Sequence, residues 1–166
     1  IKKKNVIIRN LTIRDSYVDS DPNGKKNDYD AVQVDTSSHI WLDHCHFSHC
    51  GDGLVDLRKN TDYVTVSWCI FSNHNKCFGI GWTDETEFKM TLHHNWFHDT
   101  NQRNPSFDMG IGHLYNNLLE NIDSYGNLSR GEARVVVEHS YFRNVNNPYY
   151  YTDNAELVAR GNRVVN

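Results

Sequence analysis

The chain is poor in proline and methionine and has no long apolar run: three prolines and two methionines stand among 166 residues. No window approaches the roughly 18 consecutive apolar residues of a membrane span, so no membrane partner is expected. Basic excess is also missing, with 17 Lys and Arg against 21 Asp and Glu and a formal net charge of -4. Nucleic acids and anionic lipid surfaces require a basic face, so no nucleic acid partner is expected either. No Cys-x-x-Cys occurs among the cysteines at 45, 50, 69 and 77, which argues against a zinc ribbon. Ile1–Asn5 lead straight into a strand pattern without a secretion leader, which fits a mature or trimmed chain. No amphipathic capping helix is legible at either end, so flanking sequence, another segment or another chain is expected to cover the open sheet edges.

What the sequence does hold is a repeat. HIWLDHCHF (39–47), YVTVSWCIF (63–71), KMTLHHNWF (89–97), IGHLYNNLL (111–119) and RVVVEHSYF (134–142) share one shape. Aligned on the third residue from the end, they place Cys45, Cys69, Asn95, Asn117 and Ser140 at one position, in steps of 24, 26, 22 and 23 residues. NVIIRNLTI (5–13) and ELVARGNRVV (156–165) extend the series. Within each segment Ile40 and Leu42 correspond to Val64 and Val66, to Met90 and Leu92, and to Val135 and Val137. That alternation means a strand with one apolar face.

Each repeat is too short to bury its face alone, and stacking solves this as in a solenoid. Parallel strands at this spacing, with no helix pattern between them, predict a single all-β domain over 1–166, a parallel β-helix of about seven rungs. An antiparallel sandwich would repeat its strands every 8–12 residues. The stretches Asp15–Asn27, Asn104–Met109 and Asn146–Asn154 read as polar connections.

Stacking also predicts an Asn95–Asn117 hydrogen-bond ladder and places Cys45 beside Cys69, at a rung spacing compatible with a disulfide. Cys50–Cys77 follows by elimination, and four buried free thiols are the alternative. Phe47, Phe71, Phe97 and Phe142 recur in the repeat and read as stacked core. Most of the ten histidines read as turn and outer-face residues, with the adjacent His93 and His94 pointing opposite ways.

Four carboxylates stand out, Asp28 and Asp30 in NDYD and Asp52 and Asp56 in GDGLVD. Each pair keeps strand parity, and the pairs lie about one rung apart. Stacking would gather four acids that repel one another unless a cation bound them, and an all-oxygen donor set points to Ca²⁺. Lys76 and Arg103 follow at about one-rung steps and could line the same side. Metal and cations aligned in this way suit a polyanionic ligand.

These residues carry a family resemblance. NVIIRNLTI, DAVQVDTSSHIWLDH, DGLVDLRKNTDYVTVSW, LHHNWFHDTNQRNPSFDMG and HLYNN resemble the pectate lyase superfamily of polysaccharide lyases, from about residue 5 to 145. The resemblance implies a right-handed parallel β-helix, a secreted monomer, and Ca²⁺-dependent β-elimination of polygalacturonate. It implies metal binding by Asp28, Asp30, Asp52 and Asp56, substrate binding by Lys76 and Arg130, and catalysis by Arg103, which opens the RxPxxR motif. Asp43 in WLDH matches a motif position read as structural. The last arginine of RxPxxR is Asp108 here, an anion where the family has a cation, and Arg130 is expected to hold the affected sugar instead. Competing readings are a pectin lyase acting on methylated substrate, a polygalacturonase-type hydrolase, and a non-catalytic pectin-binding β-helix.

Overall fold

The computed structural model describes residues 1–22, 24, 26–81 and 88–166. All strand pairings are parallel among the described residues. One sheet stacks seven strands in chain order: Lys4–Arg9, Ser38–Asp43, Asp62–Ser67, Lys89–His93, Ile111–Tyr115, Arg134–Glu138 and Glu156–Arg160. Seven stacked strands enclose about six full coils, so the parallel β-helix expected from the repeat is present.

The registers follow the repeat. Ile40 pairs with Val64 and Val64 with Met90, while Leu42 pairs with Val66 and Val66 with Leu92. Gly112 then takes the apolar position between Met90 and Val135. The Phe107 ring fills that space, since a Cβ on Gly112 would meet its Cζ at 2.6 Å.

The second sheet has two stacks joined through the 11-residue strand Ile70–Ile80. The first half of that strand pairs with His46–Ser48 and Trp96–Gln102, and the second half with Gly53–Arg58 and Ser106–Phe107. The latter stack continues through Asn127–Ser129 to Tyr149–Tyr151. Two connections expected to be irregular therefore contain short strands, at Ser106–Phe107 and Tyr149–Tyr151. Runs of two or three residues carry no alternation to read, and they form because neighbouring coils offer backbone partners.

Each coil leaves the first sheet through one left-handed residue. Asn10, His44, Trp68, His94, Asn116 and His139 have φ of 59°, 51°, 54°, 57°, 54° and 50°, and Gly161 has 63°. The histidines at 44, 94 and 139 are thus turn residues. His93 and His94 do not diverge, because the left-handed backbone at His94 breaks strand alternation. Their Nδ1 atoms lie 2.8 Å apart.

Immediately after each turn, a small side chain points inward and caps the preceding coil's backbone. Cys69 N–H donates to Asn95 Oδ1 at 3.0 Å, Asn95 N–H to Asn117 Oδ1 at 2.9 Å, Asn117 N–H to Ser140 Oγ at 3.1 Å, and Ser140 N–H to Asn162 Oδ1 at 2.9 Å. Every member thus answers a backbone group that would otherwise be buried without a partner.

Cys45 and Cys69 start this ladder, and the expected disulfides are absent: all four cysteines are free and buried. Cys45 N–H reaches Cys69 Sγ at 3.4 Å, while the two thiols donate to the carbonyls of Asp43 and Ser67 at 3.4 and 3.3 Å. Stacked residues project their Cβ atoms side by side at about the 4.8 Å rung spacing, wider than the roughly 3.8 Å Cβ separation of a disulfide. Burial pushes the Cys69 and Cys77 thiols up to about 12.

The core is a column of large side chains. Phe47, Phe71, Phe97, Leu119 and Phe142 stand in register, each at most 1% exposed. The Phe71 ring lies 5.3 Å from Phe47 and 4.5 Å from Phe97. Each buried side chain of this size contributes about 2–3 kcal/mol. Asp43 is buried at the first sheet's edge. Burial opposes its charge, but bonds from His44 and Ser67 and the nearby Arg9 outweigh that and hold its carboxyl low. This agrees with a structural role.

Candidate active site

The stack containing Gly53–Arg58 carries the residues singled out above. Gln33, Asp56, Gly79, Ser106, Leu128 and Tyr150 form one register row on its outer side. Two residues along lies a parallel row with Asp35, Arg58, Asp108 and Arg130. Between the two rows, Leu57, Ile80, Phe107 and Ser129 point into the core.

Asp28 and Asp30 precede the strand Val32–Asp35, so their common side is not set by strand parity as the sequence suggested. Gln33 gathers them instead, its Nε2 donating to Asp28 Oδ2 at 2.7 Å and to Asp30 Oδ2 at 3.2 Å. Arg58 adds a bond from Nη1 to Asp28 Oδ2 at 2.7 Å.

One oxygen each from Asp28, Asp30 and Asp52 lie within 4.8 Å of one another, a spacing a single cation can bridge. Asp56 is deeper, 3% exposed, and stands outside that group of three. Burial first, then the charge of Asp30, push its carboxyl up to about 8, with Arg103 close enough to pull the other way. Asp30 is also raised, by burial and by the Asp28 charge, against a 2.7 Å bond from Gly53 N–H.

Gly53 leaves the space these two acids need. A Cβ there would meet Asp56 Oδ1 at 2.9 Å and Asp30 Oδ1 at 3.0 Å. A crowded, oxygen-only cluster, one of whose members resists ionising without compensation, fits a hard divalent cation such as Ca²⁺.

Lys76 pairs in register with Gly53, and its ammonium bonds the Asp52 carboxylate. His74 Nε2 donates to the Asp52 carbonyl at 2.6 Å, and burial lowers that imidazole to about 4, so it stays neutral. A cleft of about 470 Å³ opens beside Asp52 and Lys76. The larger cleft, about 740 Å³, lies on the outer face of the first sheet around Trp41, Tyr63 and Thr91. It holds none of the acid cluster, so size does not mark the chemistry here.

Arg103 follows one coil on, at a left-handed turn with φ 59°, and its charge is close enough to act on Asp56. The structure therefore brings together Asp28, Asp30, Asp52, Asp56, Lys76 and Arg103. Arg130 engages a different acid on the same wall. It is clamped by Asp108, Nε to Oδ1 and Nη2 to Oδ2, both at 2.6 Å.

Sequence reasoning missed Gln33, Gly53, Arg58 and His74. Strand parity could have found Gln33 and Arg58, because Gln33 is the register partner of Asp56 and Arg58 lies two residues beyond it. Nothing in the sequence marks His74 among ten histidines.

A coiled parallel stack with acids and cations along one wall defines a parallel β-helix protein with a candidate site for a metal and an acidic ligand. The chain belongs to the pectate lyase family, whose sequence profile, described as pectate lyase, matches residues 1–164. It is 43% identical over 122 residues to a pectate trisaccharide-lyase of Thermotoga maritima, covering 69% of this chain and 33% of that protein. It is 36% identical over 174 residues to a probable pectate lyase A of Aspergillus flavus, covering 97% of this chain and 51% of that protein.

Among solved structures, a pectate lyase of Bacillus sp. N165 in complex with trigalacturonate superposes with a TM-score of 0.84 at 30% identity, over 98% of this chain and 57% of that one. A mutant pectate lyase of Bacillus subtilis gives a TM-score of 0.86 at 24% identity, over 98% of this chain and 51% of that one, and supports the fold. The chain thus spans about a third to a half of the length of these curated relatives.

Proposed function

We propose that this protein is a Ca²⁺-dependent pectate lyase that cleaves α-1,4-polygalacturonate by β-elimination. The observation that carries the reading is the convergence of Asp28, Asp30, Asp52 and Asp56 with Lys76 and Arg103 on one wall. The Bacillus sp. N165 pectate lyase, in complex with trigalacturonate, supports the same substrate class. Asp28, Asp30 and Asp52 would hold Ca²⁺, with Asp56 completing the set once it loses its proton. When bound, the ion supplies positive charge that acidifies the sugar's C5–H and holds its carboxylate.

Lys76 exchanges its bond to Asp52 for the galacturonate carboxylate and so steadies the negative charge that builds there. Arg103 takes the C5 proton on a neutral guanidine nitrogen. The C5–H electron pair becomes the C4–C5 double bond, the C4–O4 bond breaks, and the leaving oxygen takes a proton from water. The products are a new reducing end and a 4,5-unsaturated end. The acidic polymer is extracellular, and the same reading has the protein secreted and acting as a monomer.

Ultraviolet absorbance of the unsaturated product from polygalacturonate, with and without a chelator, tests this. The expected result is steady product formation with Ca²⁺, loss on chelation, and a fall of about 10²–10⁴-fold in Arg103→Ala. Cleavage without absorbance would mean hydrolysis, and activity indifferent to chelator would favour a pectin lyase. A second reading, pectin binding without turnover, draws on the Asp108–Arg130 clamp; it predicts retention on pectate with no product.

A further inference from the structure

We propose that the groove beyond Arg103 is a subsite for an uncharged sugar, a methyl-esterified galacturonate, and that Asp108 is the residue that sets this selectivity. This rests on the reading of the protein as a pectate lyase. Ser106–Phe107 and Asn127–Ser129 pair as Ser106 with Leu128 and Phe107 with Ser129, so Asp108 and Arg130 leave their strands as stacked neighbours. They share the outer row with Arg58, which bonds Asp28, and so face the same groove as the acid cluster.

The two 2.6 Å bonds occupy two of the five guanidinium N–H groups of Arg130 in a fork-to-fork pair. Asp153 is a second acid in the field of Arg130, and its Oδ2 accepts from Gly131 N–H at 3.3 Å. One guanidinium thus stands between two carboxylates, and this part of the wall carries no positive excess.

The contrast with the coils below decides the chemistry. There, Lys76 and Arg103 present cations to an acidic sugar. Beyond them, a galacturonate carboxylate would meet Asp108 and Asp153, with the guanidinium already engaged. Like charges brought together select against the charged sugar, one of the two routes to discrimination.

Methyl esterification removes that charge and adds an apolar group, and the wall supplies matching surfaces. Tyr125, bonded to Ser106, lies in the fields of both Arg103 and Arg130, and its ring meets Tyr150 edge to face at 5.6 Å. The rings offer an apolar face to the ester methyl and sugar ring. The remaining N–H groups of Arg130 offer donors to sugar hydroxyls.

The test compares initial rates of unsaturated-product formation on polygalacturonate and on partially methyl-esterified pectin, in Ca²⁺, for the wild type, Asp108→Asn and Asp108→Arg. The wild type is expected to use the partially esterified polymer at least as well as the bare one. The rate on the esterified polymer divided by that on the bare one should fall about threefold in Asp108→Asn, which removes one partly buried charge, and about tenfold in Asp108→Arg, which reverses it. A wild-type ratio strongly favouring bare polygalacturonate overturns the proposal, as does an unchanged ratio in both variants with wild-type melting temperatures.

If no protein forms product on either polymer, the lyase reading fails on its own. Affinity electrophoresis in the same two polymers then reads the selectivity. Stronger retardation by the esterified polymer, reduced in Asp108→Asn, upholds it, and identical retardation overturns it.

Discussion

Replacing Asp56 by asparagine is expected to stabilise the metal-free protein at alkaline pH and to leave it nearly unchanged in mild acid. The Asp56 carboxyl is raised from 3.8 to about 8, chiefly by burial and then by Asp30. Its folded-state pKa lies above the unfolded one, so between these values the folded chain binds the extra proton. Stability then falls as pH rises through that window. At about 1.4 kcal/mol per pH unit, the step from pH 5 to pH 8 costs the metal-free wild type ~4 kcal/mol. Asparagine keeps the shape and removes the titration.

Urea unfolding in chelator at both pH values, for wild type and Asp56→Asn, reads the titration of the Asp56–Asp30 pair and cancels the groups that do not touch it. Added Ca²⁺ should restore the wild type at pH 8 and help the variant less. Parallel pH profiles for the two proteins would refute the reasoning, because the acid would then not be held away from water beside Asp30.

Other perturbations test the frame that positions the site. The native protein should resist thiol alkylation and show four free thiols per chain on unfolding in denaturant; a mass deficit from oxidised cysteines would contradict the stacked, unbridged arrangement. Phe71→Ala removes the centre of the phenylalanine column and should cost about 3–5 kcal/mol in urea unfolding. Asn95→Ala leaves the Cys69 N–H and the Val66 carbonyl without their partners and should cost about 1–3 kcal/mol in the same assay. Asn95→Cys should cost less, since Cys69 does the same work one coil below.

The architecture was legible because a solenoid writes its register into a one-dimensional repeat. Ile40, Val64 and Met90 share a position in the sequence and then share a column in space. The acids were legible for the same reason, since Asp30 and Asp52 lie one coil apart. The cysteine pairing misled, because rung spacing measures Cα separation, whereas stacked Cβ vectors run parallel and keep the sulfurs apart.

The His93–His94 contact was hidden by a left-handed backbone that strand parity assumes away. The Asp108–Arg130 pair was harder to see. The two lie one coil apart, as Asp30 and Asp52 do, but they fall just beyond strands of two and three residues, where no alternation marks a shared side. Gly53 was invisible as a functional residue because its contribution is the space it leaves for Asp30 and Asp56.

Calorimetric titration of the metal-free protein with Ca²⁺ tests the central claim most directly, comparing the wild type with Asp30→Asn. One saturable site, weakened at least tenfold in the variant, is the predicted result. Equal affinity in the two proteins, or no saturable binding to the wild type, would contradict the assembly of these carboxylates into a cation site.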